Sequence, residues 1–175
     1  MGEKRAAISK DEIYWKVLRA AMSLDFKKGH CRWTIAGLSR VSGVSRPLIY
    51  YYFGKNREDI LLAAVKVIGE ECFGLSPKRM KLWKEGDLCD SVRQSRAFVQ
   101  DHQDLAAFYF AQRSKPHFVG IALRELEAQY AKKLKNFFRT QEDADIQRKL
   151  ALFFGLVFAP GISDEAIASI SDRPL

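Results

Sequence analysis

The chain is poor in cysteine, proline and glycine, and it lacks a long hydrophobic run. Its 175 residues include 3 Cys, 5 Pro and 11 Gly. Three cysteines cannot all pair within one chain, which favours a reducing, cytoplasmic environment over a disulfide scaffold. So few prolines and glycines exclude collagen-like and low-complexity sequences. The longest apolar run, residues 150–160, is about half of what a membrane span requires, and the N-terminus lacks a signal peptide's apolar stretch, so we expect no membrane partner.

The sequence also lacks the residue patterns of common catalytic and metal sites. It contains no paired carboxylates, no Ser/His/Asp arrangement, no P-loop and no dinucleotide-binding motif. The three histidines, His30, His102 and His117, do not stand at ligand spacing from Cys, Asp or Glu partners. We therefore predict a protein that is not an enzyme and that holds neither a metal nor a cofactor.

Acidic residues are missing from one long segment near the N-terminus. The whole chain carries a net charge of +8, and residues 1–66 hold 13 Lys and Arg against 6 Asp and Glu. Residues 26–57 contain no acidic residue and 7 basic ones, namely Lys27, Lys28, Arg32, Arg40, Arg46, Lys55 and Arg57. Such a surface fits contacts with nucleic-acid phosphates, although a charge run also suits a solvated face.

The spacing of apolar residues and helix caps predicts an all-α chain. Ser9 and Glu12 form a capping box for a first helix that ends near Gly29, with Ile8 and Ile13 placed for a hydrophobic staple. Further on, helices are predicted over residues 87–102, 103–113, 117–139 and 146–159. No segment alternates convincingly with period two.

Two short helices with a glycine between them form a predicted helix-turn-helix at residues 34–53. Thr34 caps the first of them, Gly43 provides the positive φ of the turn, and Ser45 caps the second with Pro47 in its first turn. After a break at Gly54, a fourth helix follows that Asn56 can cap. The side chains suited to holding the pair rigid are Leu38, Val41, Val44, Ile49 and Phe53.

The outer face of this motif carries the side chains that we expect to contact DNA. Thr34 and Ser45 place hydroxyls at helix N-termini, where phosphate is favoured. Arg46 can contact guanine, and Pro47 and Leu48 can touch a thymine methyl. At about 100° per residue, the phenols of Tyr50, Tyr51 and Tyr52 cannot share one face, so one should pack and two should face DNA.

Residues 34–53, TIAGLSRVSGVSRPLIYYYF, resemble the DNA-binding signature of TetR family transcriptional regulators, a likeness that extends over residues 10–66. The positions that match the family pattern in order are Thr34, Gly43, Val44, Ser45, Ile49, Tyr50, Tyr51 and Phe53. Ser39 and Ser42 replace small alanines, which packing should tolerate, and Tyr52 stands where histidine is common. The break before the fourth helix is one residue longer than usual, so the family's phosphate-binding lysine corresponds to either Lys55 or Arg57.

The resemblance implies an all-helical homodimer with a helix-turn-helix domain over residues 1–55 and a dimerisation and effector-binding domain over residues 56–175. In such proteins an effector moves the fourth helix and spoils the spacing of the two DNA-binding heads. Independently, Ala151, Gly155 and Ala159 form a smooth ridge on an apolar helix, which suits either a partner chain or a central core position. The predicted dimer interface consists of Tyr130, Phe137, Ala151, Phe154, Gly155 and Phe158.

An aromatic-rich stretch of the second domain is a candidate pocket for a small apolar or amphipathic ligand, although each of its residues also suits an ordinary core. The predicted lining is Trp83, Phe98, His102, Phe108, Tyr109, Gln112 and Phe118. The basic residues around Trp83, which are Lys78, Arg79, Lys81 and Lys84, are expected to face solvent.

The sequence therefore predicts a cytoplasmic, homodimeric, sequence-specific regulator that binds double-stranded DNA, most simply a repressor released from a pseudo-palindromic operator by a small-molecule effector. One alternative is an effector-independent architectural or interaction protein that binds DNA loosely. Another is a thiol redox switch, in which Lys28, His30 and Arg32 lower the pKa of Cys31.

Overall fold

A computed structural model describes residues 9–139, 142–159, 161–163, 165 and 167, and within them the chain is helical and contains no strand. The prediction of an all-α fold is therefore confirmed. Two compact units divide between Ala64 and Val65. The proposed functional boundary between residues 55 and 56 stays a prediction.

The described helices begin and end close to the residues that the capping signals indicate. In chain order they are α1 (Lys10–Lys28), α2 (Ile35–Ser42), α3 (Arg46–Phe53), α4 (Arg57–Val67), α5 (Pro77–Lys84), α6 (Leu88–Asp101), α7 (Gln103–Gln112), α8 (Phe118–Phe138) and α9 (Asp143–Phe158). A π-helical turn, Ile68–Cys72, follows α4 directly, and α5 fills part of a region for which the sequence predicted no helix.

Side-chain caps start two of the N-terminal helices. The Glu12 amide donates to the Ser9 hydroxyl at 3.1 Å, and the Gly37 amide donates to the Thr34 hydroxyl at 3.0 Å. Gly29 ends α1 with a φ of 88°, which a residue without a Cβ adopts readily. Ile8, one half of the predicted hydrophobic staple, lies outside the described residues.

The N-terminal unit packs its helices around fully buried aliphatic side chains. Four of the five predicted inner residues, Leu38, Val44, Ile49 and Phe53, are buried as expected. The fifth prediction is wrong, because Val41 is 56% exposed. Helix α2 has eight residues and buries Leu38 alone, so a side chain one turn further on lies beyond the edge of the core.

Asp25 and Arg57 brace the loop between α1 and α2. The buried Asp25 carboxylate accepts hydrogen bonds at its Oδ1 from the Cys31 amide at 2.8 Å and from Trp33 Nε1 at 3.1 Å. From the other side, Arg57 Nη1 donates to the carbonyl oxygens of Cys31 and Trp33 at 2.7 and 2.8 Å. This loop leads into the Thr34 cap, so the brace sets where α2 begins.

The C-terminal unit is built around aromatic rings from several helices. Phe73 contacts the rings of Tyr109, Tyr130 and Phe154 at centroid distances of 5.2 to 5.6 Å. Helix α6 packs against α9 and also contacts α5 and the π-helical turn. Offset and edge-on rings of this kind add to the stability that apolar burial provides.

Arg79 departs from the prediction that the basic residues of α5 face solvent. Its side chain is buried and donates to the Ser91 carbonyl and hydroxyl and to Ser95 and Gln94. A buried guanidinium is stable because these acceptors replace water. Its neighbours Lys78, Lys81 and Lys84 are exposed, as expected.

None of the described helices combines the length and the apolar character that crossing a bilayer would require.

Candidate nucleic-acid interface

Helices α2 and α3 are joined by a turn that Gly43, Ser39 and Ser42 stabilise. Gly43 adopts a left-handed conformation with φ of 68°, and a Cβ added there would meet no atom within 4 Å. The Ser39 hydroxyl donates to the Val44 carbonyl at 2.7 Å, and the Val44 amide donates to the Ser42 hydroxyl at 3.2 Å. Both serines were predicted to be merely small. The structure assigns each of them a hydrogen bond that closes the turn.

The first turn of α3 is exposed and carries a positive charge. Ser45, Arg46, Pro47 and Leu48 are all exposed, and Leu48 is an unusually open apolar side chain at 39%. Ile49 and Phe53 hold the opposite face of the same helix in the core. Because the inner face is fixed by packing, the outer face is presented in a defined orientation.

The three consecutive tyrosines of α3 divide between the surface and the core, in keeping with their helical spacing. Tyr51 is 79% exposed and Tyr50 is 38% exposed, whereas Tyr52 is half-buried. The rings of Tyr51 and Tyr52 meet edge to face, with centroids 5.0 Å apart. Two phenol hydroxyls, those of Tyr50 and Tyr51, are thus carried on the exposed side of the helix.

The two candidate hydroxyls at helix N-termini differ in what they bind within the chain. The Thr34 hydroxyl already accepts a hydrogen bond from the Gly37 amide. Ser45 occupies the cap position of α3, but its side chain makes no capping hydrogen bond. The predicted side-chain cap at Ser45 is therefore wrong, and its hydroxyl remains available to another acceptor or donor.

Lys55 and Arg57, which the sequence left as alternative phosphate contacts, have different surroundings. Arg57 is engaged with the carbonyls of Cys31 and Trp33. Lys55 is exposed, and within the described part of the chain it makes no hydrogen bond or ion pair. The two residues border a polar cavity of about 380 Å³ together with Cys31, Asn56 and Glu58.

The environment of Cys31 contradicts a low thiol pKa. Burial raises the pKa of Cys31 to about 11, the Asp25 carboxylate adds to the effect, and the Arg57 guanidinium opposes it. A thiol of this kind stays protonated near pH 7 and is a poor nucleophile. The alternative in which Lys28, His30 and Arg32 activate Cys31 is therefore not supported, because the loss of water and the Asp25 carboxylate raise the pKa of the thiol.

Asp25, His30 and Cys31 lie together, a grouping that the sequence spacing did not predict. Their potential ligand atoms are all within 4.8 Å of one another. Asp25 Oδ2 is 3.2 Å from His30 Nδ1, and its other oxygen accepts from the backbone and from Trp33. The contacts make this group part of the brace of the α1–α2 loop.

Two of the residues predicted to line an effector pocket border different cavities in the described part of the chain. Trp83 borders a cavity of about 480 Å³ beside α8, whereas Tyr109 borders another of about 340 Å³ that faces α9. Phe108 is fully buried, the Phe98 and His102 rings are tilted with centroids 4.4 Å apart, and Gln112 Oε1 lies 3.1 Å from His117 Nε2. Phe118 is half-buried at the start of α8 and borders neither cavity.

The residues predicted to form a dimer interface fall into two groups. Ala151 is exposed, and Phe154, Gly155 and Phe158 are half-buried along one face of α9. A Cβ added at Gly155 would meet no atom of the described residues within 4 Å, so none of them covers this face at Gly155. Phe158 adjoins the exposed Phe110, whose ring lies 5.2 Å away.

Tyr130 and Phe137 belong to the interior rather than to that face. Tyr130 is 4% exposed in the single chain and packs on Phe73 and Trp83, so its assignment to an interface surface is wrong. Phe137 is half-buried and contacts the Trp83 ring at 5.0 Å. Both residues lie on α8, whose apolar spacing does not distinguish a core contact from a subunit contact.

Helical architecture with an exposed helix-turn-helix surface defines a class of DNA-binding folds. Comparison with solved structures shows that the chain is similar to a TetR family transcriptional regulator, PfmR from Thermus thermophilus, with a TM-score of 0.58 and 14% identity over 97% of both chains. The chain therefore has the fold of TetR family regulators, as its motif predicted. No protein-family model and no curated protein matches the sequence.

Proposed function

We propose that this protein is a homodimeric, sequence-specific DNA-binding transcriptional regulator. The observation that carries the proposal is the outer face of α3, where Arg46, Leu48 and Tyr51 are exposed while Ile49 and Phe53 anchor the helix from within. An exposed helix of this kind fits the major groove, where arginine can bind guanine in a bidentate manner. The fold of a transcriptional regulator over nearly the whole chain supports the same function.

Contacts with the DNA backbone would come from the residues that flank α3. Lys55 is exposed and makes no hydrogen bond or ion pair with the described residues. The Ser45 hydroxyl makes no capping hydrogen bond, and Thr34 is the N-cap residue of α2. Arg40 and the exposed Lys27 and Lys28 extend the positive surface, which has no carboxylate between residues 26 and 57. Affinity should therefore decrease steeply as the salt concentration rises.

Dimerisation is proposed through the open face of α9. Ala151, Phe154, Gly155 and Phe158 form a smooth apolar strip that a second copy can cover, and the exposed Phe110 extends it. Two copies related by twofold symmetry would place their α3 helices about 34–36 Å apart, in successive major grooves of a pseudo-palindromic site. We further propose that the protein is a repressor and that a small-molecule effector releases it from this operator.

Selection of bound sequences from a random pool of double-stranded DNA tests the proposal. We expect a pseudo-palindrome with a fixed half-site spacing. Retention of DNA at low salt without any enriched sequence would contradict sequence-specific regulation and would favour a loosely binding architectural protein. The selected site can then be used to measure release by candidate effectors.

A further inference from the structure

One cavity of the C-terminal unit combines apolar walls with positive charge, and none of the described residues that line it is acidic. It has a volume of about 480 Å³ and lies between α5 and the C-terminal end of α8. Met80, Trp83 and Phe137 supply apolar surface, and Lys84, Lys133 and Arg139 supply cationic groups. The volume is in the range of cavities that bind small organic ligands.

Lys133 is the unusual member of this lining because its ammonium is buried without a carboxylate. The residue is 6% exposed, and its Nζ donates to the carbonyl oxygens of Gly74 at 2.7 Å and Phe73 at 3.4 Å. The Nζ also lies 3.7 Å from the centroid of the Trp83 ring. Within the described residues no Asp or Glu pairs with it, whereas the other buried lysine, Lys149, is paired with Asp145.

The surroundings of Lys133 are electrostatically unfavourable for its charge. Burial and, to a smaller extent, the nearby Arg79 guanidinium together lower the pKa of Lys133 to about 7. The Arg79 guanidinium lies 4.0 Å from the Glu71 carboxylate and also interacts with Asp90, whereas no carboxylate of the described residues pairs with Lys133. An anion in the cavity would supply the negative charge that Lys133 lacks.

We infer that the cavity between α5 and α8 binds a small organic carboxylate with an apolar body. The carboxylate would be drawn to the positive charge of Lys133, with Lys84 and Arg139 nearby, while the apolar body packs on Trp83, Met80 and Phe137. This inference rests on the proposed function in one respect, since it names the chemical class of the effector. The site itself differs from the sequence-predicted pocket, of which it contains Trp83 alone.

The same ammonium provides a route from the cavity to the segment that follows α4. Phe73 and Gly74, whose carbonyls accept from Lys133, come directly after the π-helical turn Ile68–Cys72. A Lys ammonium has three N–H groups, so a carboxylate that reaches Lys133 can bind the third while the two carbonyls keep theirs. Because a bound anion favours the charged form of Lys133, binding should strengthen the tie between α8 and the end of the π-helical turn.

Calorimetric titration of the full chain with decanoate tests the site directly. Decanol is the matched uncharged probe, because it keeps the apolar body and removes the carboxylate. We expect decanoate to bind at least about tenfold more tightly than decanol, since a charge-assisted contact is stronger than a neutral one. Equal affinities, or no binding of decanoate, would overturn the inference.

Two lysines that follow one another on α8 form a matched pair of variants. Lys132 is exposed and Lys133 is buried, so Lys132→Met and Lys133→Met remove the same charge from different environments. We expect Lys133→Met to lose about tenfold in decanoate affinity and Lys132→Met to remain unchanged. Equal effects of the two substitutions would count against a site at Lys133.

A second variant covers the case in which Lys133→Met fails to fold. The double substitution Lys84→Glu with Arg139→Glu changes exposed residues and should leave the circular dichroism spectrum unchanged. It should weaken decanoate binding and spare decanol, and an unchanged decanoate affinity would contradict the site. Hydrogen exchange in residues 73–75 should slow with decanoate, and unaltered exchange would refute the link between the cavity and this segment.

These measurements need no DNA, so they separate the two proposals. A chain that binds decanoate in the expected way but enriches no DNA sequence would retain this site and lose the proposed regulatory function. A chain that selects an operator but does not bind decanoate would retain the function and lose this site.

Discussion

The guanidinium of Arg57 donates a 2.8 Å hydrogen bond to the carbonyl oxygen of Trp33, and this contact joins the first residue of α4 to the loop that precedes α2. A second bond from the same nitrogen reaches the Cys31 carbonyl. Arg57 therefore has an internal role in the N-terminal unit. Lys55, two residues earlier, is the better candidate for contact with a DNA phosphate.

Substitution of Lys55 and Arg57 should separate DNA binding from stability. Lys55→Ala should weaken binding to all DNA sequences alike and reduce the slope of log affinity against log salt by about one per site, without changing the melting temperature. Arg57→Ala should destabilise the protein by about 1 kcal/mol, because two carbonyls lose a charged donor at a partly solvated position. Salt-dependent fluorescence anisotropy and thermal unfolding check the two outcomes, and an unchanged salt slope in Lys55→Ala would exclude a phosphate contact.

Arg46 should determine base preference rather than general affinity. We expect Arg46→Ala to reduce binding to the selected operator by about 1–3 kcal/mol and to reduce binding to random DNA much less, since a guanine contact is lost. The measurement is competition between the two DNAs for each protein. Equal losses on both DNAs would show that Arg46 does not contact bases.

The serine hydroxyls of the helix-turn-helix should differ in their effect on stability. Ser39→Ala removes the donor to the Val44 carbonyl and should cost about 0.5–1.5 kcal/mol of unfolding free energy. Ser45→Ala is the matched control, because its side chain makes no capping bond. Urea unfolding of both variants checks the difference, and equal midpoints would mean that the Ser39 bond contributes nothing to the turn.

Gly155 offers a test of the proposed dimer face. Because a Cβ there meets no atom within 4 Å, Gly155→Lys should fold as a monomer and place a charge on the strip that a second copy would cover. We expect analytical ultracentrifugation to show dissociation of the dimer. Ala97→Lys, at an exposed position of α6, provides a control that should remain dimeric. A Gly155→Lys variant that remains dimeric would show that the dimer interface does not include this face of α9.

The buried ammonium of Lys133 should make stability increase with pH just above neutrality. Burial lowers the pKa of Lys133 to about 7, from an ordinary value of 10.5. Between these values the unfolded chain binds more protons than the folded chain, so the free energy of unfolding rises with pH and falls as pH decreases towards 7. Among the described residues, Arg79 on α5 and Tyr130 on α8 lie near this ammonium, and Lys84 and Arg139 line the same cavity.

Urea unfolding at pH 7.0 and pH 8.5 measures this dependence. We expect the free energy of unfolding of the native chain to rise by on the order of 1 kcal/mol across that interval. Lys133→Met should lose most of the rise, whereas Lys132→Met should keep it. Burial raises the pKa values of Cys31 and Cys72 from 9.0 to about 11 and 12, so these thiols act in the opposite direction. Their effect below pH 8.5 is small, because the unfolded thiols begin to ionise only near pH 9. Identical pH profiles for the two variants would refute the assignment to Lys133.

Residue type and spacing predicted much of the N-terminal unit, because helix caps and tight turns depend on residues that are close together in the sequence. Ser9, Thr34 and Gly43 each act within a few residues along the chain, so a cap or a left-handed turn can be identified from residue type and spacing. Arg79 and Tyr130 were misplaced because their burial depends on helices that are distant in sequence. The sequence around Arg79 does not show whether its guanidinium is solvated or donates hydrogen bonds to Ser91 and Ser95, as it does in the structure.

The sequence by itself determined most of the helices, α5 excepted, together with their order and the helix-turn-helix, because periodicity and capping are short-range properties of the chain. Only the tertiary structure decided which of Lys55 and Arg57 is engaged, that the thiol of Cys31 is not activated, and that Lys133 is buried beside a cavity without a carboxylate. Each of these depends on atoms brought together from separate helices or loops. The electrostatic environment and the solvent exposure of a residue depend on how the helices pack, so they cannot be inferred from spacing along the chain.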